Sequence, residues 1–325
     1  MSDQSPLDLT IVICTYNRNA LLAKTLESIA ALRDPGGVNL SILVVDNSDD
    51  GNALQRVEDM RSAMPWPLSA LSAHPANISI ARNAGIAAAR SEFIAFIDDD
   101  QQLDPGWLEA VARALATQPY DAFFGPVVAL HECPEQADPT IEKLFSRTLD
   151  APDGHELYAM GPRQTRNIAL GSGNSIFRRS RALTDPAPFD PAFGNSGGED
   201  SDFICRLQQR GLRFGWIAAA RVTEFVPVSR YDPDYLEKRH FAGGQSYALA
   251  VSRNSKWPAL ARWRQRAIAL IQLILLLPRQ VRPGQDEAER AAIRYRRASI
   301  SGKLSFADMR PLYLQEAREA RVQKA

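Results

Sequence analysis

Ser91 to Asp104, SEFIAFIDDDQQLD, runs five apolar residues, Phe93, Ile94, Ala95, Phe96 and Ile97, directly into three aspartates. A run of that length between polar residues reads as a strand buried on both faces. Sheets built from such strands hold ligands at their carboxyl edge. Asp98, Asp99 and Asp100 fall at that edge. Side chains alternate along an extended chain, so Asp98 and Asp100 point one way and Asp99 the other. Two aligned carboxylates with no histidine or cysteine nearby suit a hard divalent cation, Mg²⁺ or Mn²⁺. On spacing alone, the triplet reads equally well as an acidic loop capping a helix that starts near Pro105.

Toward the N-terminus the same strand, loop and helix pattern recurs. Leu7 to Cys14 reads as a strand that ends in Thr15-Tyr16-Asn17-Arg18, and Ala20 to Leu32 carries Leu21, Leu22, Leu26 and Ile29 at helical spacing. Leu40 to Val45 ends in Asp46-Asn47-Ser48 and leads into a helix over Ala53 to Met64. A weaker strand, Leu68 to Ser72, precedes a helix over Ile78 to Arg90. This alternation argues an α/β fold with an open, mainly parallel, Rossmann-like sheet. Polar residues collect at three strand ends, as a nucleotide site at the carboxyl edge requires.

Toward the C-terminus, Pro105 to Ala116 reads as a helix and Asp121 to Leu130 as a strand. The excursion from His131 to Arg166 is long enough to be a functional flap or a linker. Ile168 to Phe177, IALGSGNSIF, reads as a strand broken by Gly171 and Gly173, where backbone can approach a ligand or simply bulge. In Phe189 to Gly211, FDPAFGNSGGEDSDFICRLQQRG, a double glycine precedes a helix opened by Glu199, Asp200 and Asp202, packed through Phe203, Ile204 and Leu207, and stopped by Gly211. A helix cap needs one acid; this one has three.

Composition narrows the class. With 325 residues and 45% apolar content the chain can build a substantial core, and its zero net charge lacks the basic footprint of a nucleic-acid binder. Three widely spaced cysteines form neither a disulfide framework nor a metal-binding pair, which fits a reducing compartment. An acidic, polar start is the wrong beginning for a secretory signal, so a cytoplasmic location is expected. Lys256 to Arg282 contains no acid and sets arginines around the apolar run Ala267 to Leu277. As a helix that run is roughly 16 Å long at ~1.5 Å per residue, too short for a hydrocarbon core of about 30 Å. With Trp257 and Trp263 beside the cations, the stretch suits a helix lying peripherally in the headgroup layer of an anionic membrane, on the inner face of the cell. The other reading is a buried helix packed on the catalytic domain.

The motifs ICTYNR, VVDNS, SIARNAGIAAARSEFIAFIDDD, GSGNSIFRR and FDPAFGNSGGEDSDFICRLQQRG, in that order, resemble the family-2 glycosyltransferases of the GT-A fold over roughly residues 7 to 225. The resemblance implies a catalytic domain over 1–225 and a helical C-terminal region over 226–325. It implies a metal-dependent, inverting transfer of sugar from a nucleotide-sugar to a saccharide acceptor. Thr15, Tyr16, Asn17 and Arg18 would border the nucleotide, Asp46 would accept from a uracil ring, and Arg82 and Asn83 would sit by the ribose or diphosphate. Asp98 and Asp99 would lie at the nucleotide, Asp98 and Asp100 at a Mn²⁺ or Mg²⁺ ion, and Gly173 and Asn174 against the donor sugar. Asp200 would be the catalytic base, with Glu199 and Asp202 contacting the acceptor. Many relatives carry a histidine after the acidic helix; here Glu224, Arg230 or His240 would take that place, His240 as a late metal contact. If the C-terminal stretch meets a membrane, the acceptor is expected to be lipid-linked, as in exopolysaccharide assembly. The competing readings are a phosphotransferase of the haloacid-dehalogenase type, whose nucleophile loop wants Thr or Val where this chain has Gln102, a nucleotide-sugar pyrophosphorylase, whose first loop is Gly-rich where Thr15 to Arg18 has no glycine, and an inactive nucleotide-sugar-binding module.

Overall fold

Phe93–Asp98 forms a strand in the interior of the main sheet, and Phe93 to Ile97 are each no more than 2% exposed. The computed structural model of the chain describes residues 6–137, 139–166, 168–307 and 309. In chain order these contain β1 (Leu7–Thr15), α1 (Asn19–Ala30), β2 (Val38–Asp46), α2 (Asn52–Arg61), β3 (Leu68–Ser72), α3 (Ile78–Ala88), β4 (Phe93–Asp98), β5 (Gln101–Leu103), α4 (Trp107–Thr117), β6 (Ala122–Phe124) and β7 (Val127–His131). They continue with α5 (Pro139–Phe145), β8 (Glu156–Leu157), β9 (Ser175–Arg178), α6 (Arg179–Ala182), α7 (Glu199–Gln209), β10 (Phe214–Trp216), β11 (Val222–Val226), α8 (Pro233–Arg253), α9 (Pro258–Gln280) and α10 (Glu287–Leu304).

Two sheets result. The main one runs β3-β2-β1-β4-β9-β6-β10-β8, and a small one runs β5-β11-β7. Strand alternation sorts the apolar residues into two cores. Leu9, Ile11, Ile13, Phe93, Ala95 and Ile97 face α1, α2 and α4 through Leu22, Leu26, Val57, Trp107 and Val111. Val12, Val45, Ile94 and Phe96 face α3 and α7 through Ala81, Ile86, Phe203 and Leu207. Each such apolar side chain, fully buried, contributes about 1.5–3 kcal/mol, which is why these alternating rows decide the register.

The main sheet is mainly parallel, as expected, with two strands reversed: β9 enters antiparallel between β4 and β6, and β8 is antiparallel to β10. Two sequence expectations change. The expected strand from Asp121 to Leu130 is two strands, because Gly125 and Pro126 turn the chain from the main sheet into the small one. A Cβ on Gly125 would come within 2.3 Å of the Ala220 carbonyl oxygen, and Pro126 has no N–H for a ladder. The expected strand from Ile168 begins only at Ser175, because the residues before it wrap a buried arginine described below.

The segment 131–166 is largely built into the structure, contributing α5, a bridge between Arg147 and Val127, and β8. The C-terminal helices α8 and α10 touch through glycines: a Cβ on Gly244 would lie 2.1 Å from the Ser299 oxygen, and one on Gly302 2.0 Å from the Phe241 oxygen. The helix α9 turns Gln265, Ala269 and Leu276 inward. Its Leu260, Trp263, Leu270, Ile271, Ile274 and Leu275 are each more than half exposed, so the expected apolar row faces outward and not into the catalytic domain. No helix among the described residues is long and apolar enough to cross a membrane.

Candidate active site

The chain crosses from the main sheet to the small one three times, from β4 to β5, β6 to β7 and β10 to β11, and the acidic residues gather at this seam. Asp98 closes β4, Asp100 leads into β5, and Glu224 lies on β11 opposite Gln101 of β5. One carboxylate oxygen from each of Asp98, Asp100 and Glu224 lies within 4.8 Å of the others. The Gln101 side chain bridges two of them, donating to Glu224 at 3.1 Å and to Asp98 at 3.4 Å. Asp99 turns away, accepting from the Thr15 hydroxyl at 2.7 Å and from Arg18 at 3.1 Å, and Arg18 also reaches Asp100 at 3.1 Å.

Burial pushes the Asp98 carboxyl up to about 7, Arg82 opposes the rise, and Asp100, Glu224 and Asp99 add to it. Glu224 is also raised, first by burial and then by Asp100. Three crowded carboxylates, with Asp98 and Glu224 resisting the loss of their protons, are an all-oxygen donor set for a hard divalent cation, so the residues fit Mg²⁺ or Mn²⁺.

Arg82, on α3, connects this group to α7. It pairs closely with Glu199, lies 3.9 Å from Asp98 and stacks under Phe189 at 5.4 Å. Burial pushes Glu199 up despite Arg82, and its second carboxylate oxygen is buried without a partner among the described residues. Asp200 accepts from the Ser201 amide at 2.6 Å, and its other oxygen approaches Gly171, where a Cβ would lie 3.0 Å away. Gly197 and Gly198 have φ of 78° and 98°, and a Cβ on Gly198 would meet Ser246 of α8 at 2.4 Å. This left-handed pair sets the start of α7, and with it Glu199 and Asp200, against the seam.

The residue that sequence reading missed is Arg147. Its buried guanidinium donates to the carbonyls of Gly125, Gly171, Gly173 and Asn174 at 2.5–3.1 Å. Burial draws its pKa down to about 10 against the pull of Asp98, Glu224 and Asp200. It therefore holds the Gly171–Asn174 turn next to Asp98: a Cβ on Gly173 would lie 2.2 Å from the Asp98 carboxylate. No local motif surrounds Arg147. Gln101 was equally silent, one polar residue after three acids.

Other expected residues stand apart from the acid group. Asn174, at φ 49°, donates to the Pro126 and Ala220 carbonyls, each at 2.8 Å, and accepts from the Trp107 ring at 2.9 Å. Asn83 exchanges two bonds with the Phe189 backbone. Asp46 has no exposed surface and accepts from Ser48 (2.8 and 2.6 Å) and from the Ala53 amide at 2.7 Å, so it caps α2. Asn17, at φ 56°, accepts from Asn52 at 2.9 Å, and Tyr16 is half-buried beside it. Asp202 faces α8, accepting from Asn254 at 2.9 Å with Arg206 at 3.7 Å. His240 stacks on Tyr295 at 5.2 Å in the C-terminal helices, outside the acid group. Arg230 lies 3.8 Å from Glu224, which itself joins the aspartates.

The chain is similar to known proteins. The chain is 32% identical to the succinoglycan biosynthesis protein ExoM of Rhizobium meliloti (strain 1021) over 249 residues, 77% of each chain. It is 29% identical to a pre-mycofactocin glycosyltransferase of Mycobacterium tuberculosis over 271 residues, covering 78% of this chain and 50% of that one. Among solved structures, Staphylococcus aureus TarS 1-349 in complex with UDP-GlcNAc superposes with a TM-score of 0.55 over 91% of each chain at 16% identity, a likeness of fold. The sequence profile described as Glycosyl transferase family 2 matches residues 10–180, which hold most of β1, the aspartate triplet, Arg147 and the Gly171–Asn174 turn. With that match and the fold likeness to TarS, the chain belongs to the family-2 glycosyltransferases and has their GT-A fold.

Proposed function

We propose that the protein transfers a sugar, with inversion, from a UDP-sugar to a hydroxyl of a lipid-linked saccharide in surface-polysaccharide assembly. The observation that carries this reading is the seam itself, where Asp98, Asp100 and Glu224 converge while Asp200 approaches the Gly171 turn from another element. Asp98, Asp100 and Glu224 would hold a divalent cation, which when bound supplies positive charge against the diphosphate as it leaves. Arg82 and Arg18 add cationic side chains beside the same acids. The Gly171–Asn174 turn, fixed by Arg147, gives the donor sugar a wall in which Gly171 and Gly173 offer bare backbone. Asp200 takes the proton from the attacking hydroxyl, a contribution of roughly 10²–10⁴-fold. A single displacement needs no nucleophile from the chain, and inversion follows from it.

Uridine is supported by the TarS complex with UDP-GlcNAc. A role in surface polysaccharide follows the succinoglycan relative. Incubation with UDP-sugars, Mn²⁺ and lipid extract should release UDP, and Asp200→Asn should lose nearly all turnover while binding UDP as before. More than about a tenth of the activity left in that variant would reject Asp200 as the base. CDP or GDP binding as tightly as UDP would remove the uridine assignment.

The proposal includes a membrane contact at α9. Its outward apolar row is flanked by Arg264, Arg266 and Arg279, and no acid occurs from residue 254 to 285, so the complementary partner is an anionic bilayer surface. Ile271→Glu with Ile274→Glu changes only outward positions and should abolish pelleting with phosphatidylglycerol vesicles. Unchanged pelleting, or a second copy of the chain bound in place of lipid, would exclude this contact.

A further inference from the structure

A cleft of about 1000 Å³ lies where the loop around Arg163 and the last turn of α7 face α8, α9 and α10. Among the described residues its lining contains Arg163, Lys256, Arg264 and Lys303 and not one carboxylate. These cations come from four different segments: the loop after β8, the link between α8 and α9, α9 itself and α10. Among the described residues none of the four forms an ion pair, although Arg163 is near enough to help Arg213 hold the Glu156 carboxyl below its usual range; Lys256 lies over the Trp257 ring at 5.9 Å and Lys303 over the Tyr247 ring at 5.4 Å. Burial, with Arg296 nearby, pulls the Lys303 ammonium down, the mark of a cation held without a counter-charge. Gathering like charges around one hollow is unfavourable in the free protein, and an anion entering it relieves that cost.

The cleft is tied to the proposed acceptor side. Asn254, in its wall, donates to Asp202 of α7 at 2.9 Å, and Gln208, also in the wall, follows Asp200 by about 12 Å along α7 at ~1.5 Å per residue. Tyr247 and Tyr158 offer ring faces, and Gln209 and Gln272 offer amides. Cations, aromatic faces and amides together match a sugar attached to a diphosphate better than they match a bare ion. Arg264 and Ile268 of α9 line the cleft from the inner flank of the helix whose outer row faces away.

We infer that this cleft binds the diphosphate and adjoining sugar of the acceptor, holding the lipid-borne chain while its free end reaches Asp200. The inference rests on the proposed transferase reading, and it is tested without turnover. The full chain is titrated calorimetrically with inorganic pyrophosphate at low salt in EDTA, so that the acid seam holds no cation. Wild type should bind. The double variant Arg163→Gln/Lys303→Gln, which leaves α9 untouched, should bind at least tenfold more weakly, while Asp100→Asn should bind as wild type does. Unaltered UDP binding with Mn²⁺ by the double variant shows that it folds. No binding by wild type, equal binding by the double variant, or a matching loss in Asp100→Asn would overturn the inference. Loss of phosphatidylglycerol-vesicle pelleting by the double variant, with pyrophosphate binding intact, would assign the cations to headgroups and overturn it as well. Failure to release UDP from UDP-sugars would strike the transferase reading and leave this binding result standing.

Discussion

Replacing Asp98 with asparagine should stabilise the cation-free protein at neutral pH. The folded carboxyl is raised to about 7, so it keeps its proton where an unfolded aspartic acid has lost it. The sign follows from linkage: this stability is fully present below the unfolded pKa, near 3.9, and is lost as pH rises through about 7. Converted at about 1.4 kcal/mol per unit, the shift amounts to roughly 4 kcal/mol. The Asp98 side chain is 40% exposed, however, and solvent screening reduces the expected effect to about 1–2 kcal/mol. Asparagine does not titrate, so its advantage should be absent near pH 4, grow to pH 7 and then stay flat. In EDTA at pH 8 the variant should melt roughly 2–5 °C above wild type. Added Mn²⁺ should reverse the order, since a ligand at 100 times its Kd stabilises wild type by about 2.7 kcal/mol and the variant has lost a donor. Scanning fluorimetry at pH 4, 6 and 8, with and without Mn²⁺, measures all of this. If Asp98→Asn melts lower than wild type by the same amount at every pH, the carboxylates are not in conflict and the argument for a cation at the seam fails.

Arg147→Met should destabilise the fold by about 3–5 kcal/mol, because it leaves buried carbonyls around the Gly171–Asn174 turn without their donor. Arg147→Lys should recover less than half of that loss in urea titrations, since one ammonium cannot span four carbonyls; full recovery would reduce Arg147 to a charge. His240, whose pKa burial pulls down to about 4, favours the folded state above pH 6.5 and loses that preference as pH falls toward 4. His240→Phe keeps the stack on Tyr295 and should flatten the acid-side fall in melting temperature. The variant should leave the Mn²⁺-induced rise unchanged, and a lost rise would make His240 a ligand after all.

What could be read from the sequence was what depends on neighbours along the chain. FIAFID announced a buried strand and its acidic end, and alternation alone separated Asp99 from Asp98 and Asp100. The acids after Gly197-Gly198 were equally plain, because a helix start is a local signal. Asp202 was not separable from Glu199 and Asp200 by type, yet its place in the turn directs it to Asn254 and Arg206. Arg147 acts only across long sequence separations, and Gln101 matters because it joins Asp98 to Glu224, which lies 123 positions beyond Gln101; nothing adjacent to either marks it. Gly125-Pro126 was visible as a dipeptide, but that it moves the chain between sheets depends on the Ala220 carbonyl, 95 positions later. The outward row of α9 was visible as hydrophobicity; its direction was set by Gln265, Ala269 and Leu276 finding the inner contacts.

The three strand crossings carry a consequence for how the molecule comes apart. Asn174 bonds to the carbonyls of Pro126 and Ala220, one in each of two crossings, and to Trp107 of α4. Arg147 grips the same turn from below. A fluctuation that frees β7 or β11 from the small sheet must therefore break bonds belonging to the large one, and neither sheet can open while the other stays closed. Amide protons of Phe123 and Phe124, and of Val128 and Phe225, should exchange through one shared opening with a single free energy. The acid seam then persists or vanishes as a unit, so the protein has no partly unfolded form in which Asp98 and Asp100 remain together and Glu224 has left.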